Sequence, residues 1–492
     1  LAEASENTPT VALAIQQGFS ARILLQTELL GTLLSAGARV VVLTSDAPAV
    51  RGYLEKRGLG QIPVEPMRLE GYAGSSAGRV SFLFRQFRSF AAADRTVDGI
   101  LGMQWKDALG RRRPSEIAYL ILITIVSRVM RVSAVAMKGM VWLENLLDAP
   151  DVHGEFFKKY RPDAVVLTSI GVFDDDRYVM REAKAHGARV VSYVLSWDNT
   201  TVRGLGTNLS DRVIVWSDVM KEELVRLHRI PPEKIFVDGV PHYDSYGGNG
   251  SGLMGKNELG NLFGLDPSKR ILFVATKSPN TFLYNADVAG FLCDAIEDGR
   301  LPGDCHVVAR LHPIYMRRKG GQKMFQKELE EWDELMARHG GERLSVDFPE
   351  IIPGDLNYFM PDSEIEKLAS LLRHSAVVVN MFSTLNLEAS IFDVPSVNVS
   401  FEYGHKRPPG KKIARFNIAY DEIQTHNSRV VLSGGTSVAH SSEELLAQVK
   451  AYLDEPSLHA AGRKKIVENE CGRNLGSAGR AVGRRILETI GN

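Results

Sequence analysis

The sequence is short of the features that assign a protein quickly. It has three cysteines in 492 residues, Cys293, Cys305 and Cys471. The number is odd and no CxxC or Cys/His spacing is present, which excludes a disulfide framework and a cysteine metal site and fits a reducing, cytoplasmic compartment. No charge excess exists, since Lys+Arg and Asp+Glu are equal at 59. That balance gives no reason to expect a nucleic-acid partner. There is no run of about 18 uncharged apolar residues, so a membrane-spanning helix is not expected. The first residues, LAEASENTPT, are polar and do not read as a signal peptide. GxxxxGK[ST] and HExxH are absent, and the formal GxSxG in GSSAG (74–78) follows no strand-like run, so it does not read as a nucleophile elbow. The twelve histidines lack ligand spacing. The formal DxD in FDDDR (173–177) is three acids at a helix start, so no catalytic metal and no cofactor are expected.

What the sequence has in quantity is alternation. TVALAIQ (10–16) precedes a helix-like ARILLQTELLGTLLSAG (21–37), with Gly37 as its C-cap, and then ARVVVLTS (38–45). DAVVLTS (163–169) precedes DRYVMREAKAHG (176–187) and ARVVSYVLS (188–196). DRVIVWS (211–217) precedes VMKEELVRLHR (219–229) and KIFVDGV (234–240). Unbroken Val/Ile/Leu runs joined by helical patterns suit parallel strands covered on both faces. GGNGSGLMGKNELG (247–260) breaks the rhythm and reads as a linker. A second set follows in RILFVAT (270–276), HVVARLH (306–312), RLSVDF (343–348), SAVVVNM (375–381) and PSVNVSF (395–401). The expected fold is α/β, with two Rossmann-like domains facing a cleft. An N-terminal domain covers 8–246, a linker 247–262, a C-terminal domain 263–475, and a final helix 476–492.

Residues 81–147 stand outside the alternation. The stretch 115–147 is long, apolar and helical in length, interrupted by Arg128, Arg131 and Lys138 and preceded by Arg111-Arg112-Arg113. It reads as a helical insertion. Its stripe either packs on the N-terminal core or, through 111–147, touches anionic lipid or a lipid-linked acceptor at the inner face of a membrane.

Candidate chemistry gathers at strand ends, where open α/β sheets bind ligands. In NMFSTLNLEAS (380–390), Ser383 and Thr384 are good helix N-cap types after a strand. A helix start there offers backbone N–H groups and partial positive charge to a diphosphate, and Glu388, one turn on, reaches ribose hydroxyls. A plain cap explains the same spacing. ILFVATKSPN ends in Lys277 and Ser278, and HVVARLHPIY ends in Arg310 and His312. Cations at neighbouring strand tips suit one anion. In the first half, QQGFSAR (16–22) supplies Gly18 and Ser20 on the acceptor side, without the GxGxxG of a dinucleotide site. SIGVFDDDR offers Asp174 and Asp175 as general bases, and LSWDNTTVRG offers Asp198, with Trp197 and Asn199 beside an acceptor sugar.

Taken together, RVIVWSDVMKEELVRLHRIPPEKIFVDGVPHYD (212–244), LHP (311–313), STLNLEASIFDVPSVNV (383–399) and the GFSAR turn resemble the GT-B superfamily. The nearest resemblance is to bacterial surface-polysaccharide glycosyltransferases and CDP-glycerol glycerophosphotransferases, with non-hydrolysing UDP-GlcNAc 2-epimerases more distant. The likeness spans about 10–45 and 160–485 and is diffuse. It implies a nucleotide-sugar donor in the C-terminal domain and a glycan or lipid-linked glycan acceptor in the N-terminal one, without a metal. It implies Ser383 and Thr384 at the diphosphate, Glu388 at the ribose, His312 at the reaction centre or phosphate, and a last helix that returns to the N-terminal domain. A pair of Glu residues seven apart, as in many retaining members, is missing here, which favours inversion. The implied function is sugar transfer in surface-polysaccharide biosynthesis. Glycerophosphotransfer, epimerisation and a silent scaffold are the alternatives.

Overall fold

The computed structural model describes residues 8–68, 70–247, 252–319, 322–406 and 417–491. The chain folds as two compact units. One holds the chain up to Asp244, Ile352–Phe359 and the chain from Gly472; the other holds Ser245–Ile351 and Met360–Cys471.

The first unit is built on seven parallel strands, β1 (Thr10–Ile15), β2 (Arg39–Thr44), β3 (Val64–Pro66), β4 (Ala164–Leu167), β5 (Arg189–Tyr193), β6 (Arg212–Val215) and β7 (Ile235–Val237). Their order is β3-β2-β1-β4-β5-β6-β7. The chain builds outward from β1 on one side, then returns to the other side with β4. This reversal is the switch point at which such sheets form a crevice. The strands are apolar on both faces because helices cover both; Val11, Leu13, Val41, Val42, Val166 and Val190 are fully buried. Each such side chain contributes about 1.5–3 kcal/mol of transfer free energy.

The stretch expected as one helix over 21–37 is two, Gly18–Leu25 and Glu28–Ser35. Thr27 makes the break. Its hydroxyl donates to Ile23 O at 2.7 Å and accepts from Leu29 N–H at 3.3 Å, ending one helix and capping the next. Gly37 follows with φ +80°, the left-handed position that glycine takes without strain.

The helical insertion is real and also divided. Pro114–Val132 and Ala134–Leu147 meet at 120°, and Ser133 Oγ caps the second by accepting from Ala136 N–H at 3.1 Å. One face packs on Phe87, Phe90, Val97 and Leu101. Inside, Arg88 bridges Glu144 at 2.7 Å, and Arg181 reaches Glu144 at 3.0 Å and Asp148 at 2.8 Å. These buried pairs fasten the insertion to the helix Asp174–Ala185, which follows β4. The other face is bare, with Val132 and Val135 over 80% exposed and Trp142 65% exposed. No single described helix is long and apolar enough to cross a membrane; the bent pair passes that test only when taken together.

Ile352–Phe359, inside the range expected for the second domain, belongs to the first unit. Gly18 N–H donates to Asn357 O at 2.7 Å, and Asp46 accepts from the N–H groups of Asp355 and Leu356. The last helix, Ala478–Ile490, also packs in this unit, where Asp244 caps it by accepting from Ala478 and Gly479 N–H at 2.8 and 2.7 Å. At Gly483 a Cβ would meet Thr32 Cβ at 2.8 Å, so glycine permits the close approach of the two helices.

The second unit has six parallel strands, β8 (Arg270–Ala275), β9 (Cys305–Arg310), β12 (Leu344–Asp347), β13 (Ser375–Asn380), β14 (Ser396–Val399) and β15 (Thr436–Ala439), and a small separate hairpin, β10 (Arg318–Lys319) with β11 (Gln322–Lys323). The order β12-β9-β8-β13-β14-β15 again reverses beside the first strand. The core is Ile271, Phe273, Val308, Leu371 and Val378. Residues 248–251 of the expected linker lie outside the described residues. From Met254 the chain is already part of this unit, since Met254 N–H donates to Ser370 Oγ at 2.9 Å and the helix Lys256–Phe263 follows. Cys293, Cys305 and Cys471 are free and buried.

Candidate functional site

In the second unit the switch point lies between β8 and β13, so the tips of these strands border the crevice. β8 runs into Thr276, Lys277 and Ser278. Lys277 is held from two sides. Its backbone N–H donates to Asn285 Oδ1 at 2.8 Å, and Asn285 Nδ2 donates back to Lys277 O at 2.9 Å. Its ammonium lies 2.8 Å from Asp421 Oδ2 and donates to Met381 O at 3.2 Å. An ammonium has three N–H donors, so among the described residues one remains after these two bonds. Ser278 shapes the following turn, with its hydroxyl accepting from Asn280 N–H at 3.3 Å.

His312, at the tip of β9, joins the same edge. Its N–H donates to Thr276 Oγ1 at 2.7 Å, and its Nδ1 accepts from Ile314 N–H at 3.1 Å. The second bond places the ring hydrogen on Nε2. Burial, with Lys277 adding, lowers the imidazole from 6.5 to about 4. The ring is therefore a neutral donor at pH 7, not a cation.

Beyond β13 the chain makes a sharp turn at Phe382, φ +53°. A buried amide network holds it. Asn380 Nδ2 donates to Asn386 Oδ1 at 2.9 Å, Asn386 Nδ2 to Asn398 Oδ1 at 2.8 Å, and Ser396 Oγ to Asn386 Oδ1 at 3.0 Å. Phe382 N–H and Ser383 N–H donate into it, to Asn398 and Asn380. Leu385 N–H is taken by Ser383 Oγ at 3.3 Å. Several amides expected for a phosphate are thus already bonded. Thr384 precedes the helix Leu385–Ile391 and makes no side-chain capping bond. Glu388, one turn in, is buried and accepts from Tyr246 Oη at 2.6 Å.

Arg310 is not brought to this point. Its guanidinium is buried and bound to Asp347 and, at 2.7 Å, to Glu364. Lys367 completes the cluster at 2.8 Å from Asp347 and 2.5 Å from Glu364. Two cations against two carboxylates is a balanced buried network, which ties β9 and β12 to the helix Asp362–His374.

In the first unit, Gly18 and Ser20 serve the backbone of the β1–β4 edge. A Cβ at Gly18 would meet Phe359 N at 2.1 Å. Ser20 is fully buried and its Oγ lies 2.6 Å from Thr168 Oγ1, joining the β1 and β4 ends across the switch point. Asp174 opens the helix Asp174–Ala185; its side chain lies outside the described residues. Asp175 is half-buried beside it. Asp176, the third acid of this run, is the perturbed one. It is fully buried, and desolvation pushes its carboxyl up to about 7, with a smaller push from Asp175 and an opposing bond from Ser169. Trp197 is 2% exposed and Asn199 is buried, so both serve the interior rather than an open sugar face. Asp198 is half-buried at the N-cap of Asn199–Val202, with no side-chain capping bond.

The residues missed from sequence are those that hold the others. Asn285 and Asp421 lie in no motif, and Asn386 and Asn398 lie inside the 383–399 segment without being singled out there. Only their spacing from strand tips after folding reveals them. One group with cation-site spacing, Asp294, Glu297 and His339, exists among the described residues. Asp294 and Glu297 lie in the last turn of the helix Asn285–Glu297, which returns from the β8 tip, so they sit at the opposite end of the sheet from Lys277.

No family model and no curated protein matches the chain. Solved structures do. S. aureus MnaA, solved with UDP, has a TM-score of 0.55 at 10% identity, over 98% of this chain and 97% of that one. The Methanocaldococcus jannaschii UDP-GlcNAc 2-epimerase in complex with UDP-GlcNAc and UDP has a TM-score of 0.52 at 13% identity, covering 97% and 99%. The Neisseria meningitidis UDP-GlcNAc 2-epimerase bound to UDP-GlcNAc has 0.51 at 10%, covering 97% and 100%. At these identities the likeness is one of fold. The chain has the two-domain, GT-B-like α/β architecture of these enzymes.

Proposed function

We propose that this chain is a nucleotide-sugar enzyme that transfers the sugar to a hydroxyl of a glycan or lipid-linked glycan. The observation that carries the reading is the convergence of Lys277, His312 and the 380–384 turn at the switch point of the second sheet. The acceptor oxygen forms the bond to the anomeric carbon as the bond from that carbon to the phosphate oxygen breaks. A carboxylate takes the acceptor proton. The nucleoside diphosphate leaves as an anion, with the Lys277 ammonium, the His312 Nε2–H and the Ser383–Thr384 turn as its partners. Glu388 holds the ribose. Arg310 is left out of this set, because its charge is spent on Asp347 and Glu364. No step uses a metal. The setting is bacterial surface-polysaccharide synthesis on the cytoplasmic side, with 111–147 against the membrane.

The second reading is epimerisation of the nucleotide sugar itself. What favours it is that UDP-GlcNAc 2-epimerases share the fold over 97% of the chain. Thermal-shift titration with UDP, GDP, CDP, CMP, ADP and dTDP, with and without Mg²⁺, tests the donor site. A nucleotide at 100 times its Kd stabilises by about 2.7 kcal/mol. A response to one base that is lost in Glu388→Ala and His312→Ala is the expected result; no response to any nucleotide refutes the reading. Products then separate the two activities. Transfer yields free nucleoside diphosphate and a new glycoside, whereas epimerisation yields an isomeric nucleotide sugar without an acceptor.

A further inference from the structure

The cluster of Asp294, Glu297 and His339 lies wholly within the second unit. Asp294 and Glu297 stand one turn apart on the helix Asn285–Glu297, so both face the same side. His339 is the last residue of the helix Gln326–His339. Two helix C-termini therefore meet here, each with the negative end of its dipole, and two carboxylates add to them. The last turn of Asn285–Glu297 holds no basic residue to offset this. Arg300 and Arg343 are drawn off to Asp298 and Glu342, at 2.8 and 3.0 Å. Asp294 also lines a cavity of about 410 Å³ with Asp287, Glu331 and Glu334, beside Arg338 and Lys406. Four carboxylates against two cations make that approach attractive to a cation.

The His339 side chain is 1% exposed, and neither ring nitrogen has a hydrogen-bond partner among the described residues. Yet Nε2 lies 3.0 Å from Asp294 Oδ1, and Nδ1 lies 3.5 Å from Glu297 Oε2. The Asp294 oxygen is therefore within hydrogen-bond distance of the nitrogen but out of line with it. A shared metal ion accounts for that arrangement. It sits on the nitrogen lone-pair axis about 2.1 Å from each ligand, which puts a neighbouring ligand oxygen about 3.0–3.4 Å from the nitrogen and off that axis. The three ligand atoms lie within 4.8 Å of one another. The carboxylates that cover the ring are themselves 49% and 54% exposed. They turn on their own side-chain bonds, so an ion enters between them from solvent and the ring itself need not be open to water. One imidazole with two carboxylates suits a first-row transition ion such as Zn²⁺, whereas Mg²⁺ and Ca²⁺ prefer oxygen alone.

We infer that Asp294, Glu297 and His339 Nε2 bind a divalent transition-metal ion of the Zn²⁺ class, with Nδ1 keeping the ring hydrogen and water completing the shell. The ion pins together the ends of the two helices that precede and follow β9. It lies at the end of the sheet away from Lys277, so its role is structural and does not depend on the nucleotide reading. The test is equilibrium dialysis of the untagged full chain against Zn²⁺, with Mg²⁺ in excess and no nucleotide present. Asp294→Asn and Glu297→Gln are the variants. Both positions are about half exposed, so both variants should fold, and unchanged circular dichroism checks this. A saturable Zn²⁺ site that Mg²⁺ does not displace, weakened about tenfold or more in each variant, supports the inference. No saturable Zn²⁺ binding, displacement by Mg²⁺, or a smaller change in either variant overturns it and leaves a His339 imidazolium between two carboxylates.

Discussion

Tyr246 donates its hydroxyl hydrogen to Glu388 Oε2 at 2.6 Å, joining positions 142 residues apart within the second unit. Both side chains are at least 94% buried, and the Tyr246 ring also packs on Phe392 at 5.3 Å between centroids. The bond orients a carboxylate that the proposed function places against a ribose. In Tyr246→Phe the ring stays and the donor goes. Leaving the buried oxygen short of a partner costs about 1–3 kcal/mol. Urea unfolding measures it; an unchanged midpoint would mean that the bond is not kept in solution. In the same variant, affinity for the responding nucleotide should fall, since the Tyr246 hydroxyl no longer orients the Glu388 carboxylate.

The Asn380–Asn386–Asn398 network carries the turn at Phe382. Asn386 donates to Asn398 and accepts from Asn380 and Ser396, and it is 1% exposed. Asn386→Leu keeps the size and strips three bonds from buried partners. A loss on the order of 3 kcal/mol is expected, read as a lower urea midpoint with an unchanged m-value. Asn386→Asp keeps the acceptor but not the donor, and should fall between the two.

Much of the framework was legible in the sequence, and the reasons are physical. Runs such as TVALAI and RILFVA are apolar on both faces, which only a covered parallel strand requires. Short strands escaped, among them Val64–Pro66 and Thr436–Ala439, because three or four residues of mixed polarity carry no period. Helix breaks at Thr27 and Ser133 escaped because a capping hydroxyl inside an apolar stripe looks like any other polar residue. At the site, Lys277 and His312 were found because they end strands. Arg310 ends one too, but its partners Asp347 and Glu364 come from distant segments that spacing does not connect. Gly18 was read as a ligand-side residue; its need for glycine comes from Phe359, 341 residues away in the chain (359 − 18).

The bare face of the bent helix pair gives a further prediction. Val132, Val135 and Leu146 are 84%, 82% and 60% exposed, and Lys138 and Arg113 lie on the same two helices or at their start. If this face meets a bilayer, the chain should sediment with anionic vesicles and less with neutral ones, and salt should weaken the binding. Val132→Ser with Val135→Ser and Leu146→Ser should abolish sedimentation with little change in thermal stability, because these side chains are mostly exposed. Equal sedimentation of the triple variant would remove the membrane role from the proposal.

Asp176 makes stability depend on pH with a sign opposite to that of the buried histidines. Burial raises its carboxyl from 3.8 to about 7. Between those values the folded chain keeps a proton that the unfolded chain has released. The contribution is therefore fully present below about pH 4 and is lost as pH rises through about 7, by up to roughly 4 kcal/mol at 1.36 kcal/mol per unit. His228 and His312 run the other way, since burial lowers each from 6.5 to about 4. Their contribution is present above about pH 6.5 and is lost as pH falls towards 4. Wild type should thus be most stable between these limits. Asp176→Asn separates the two effects, because the amide is neutral at every pH and nearly the same size. Its urea midpoint should exceed that of wild type at pH 8 and match it near pH 4, where the native carboxyl is already protonated. Acid destabilisation from the histidines should remain in the variant. Equal differences at both pH values would show that the Asp176 carboxyl ionises normally and that its burial in solution is incomplete.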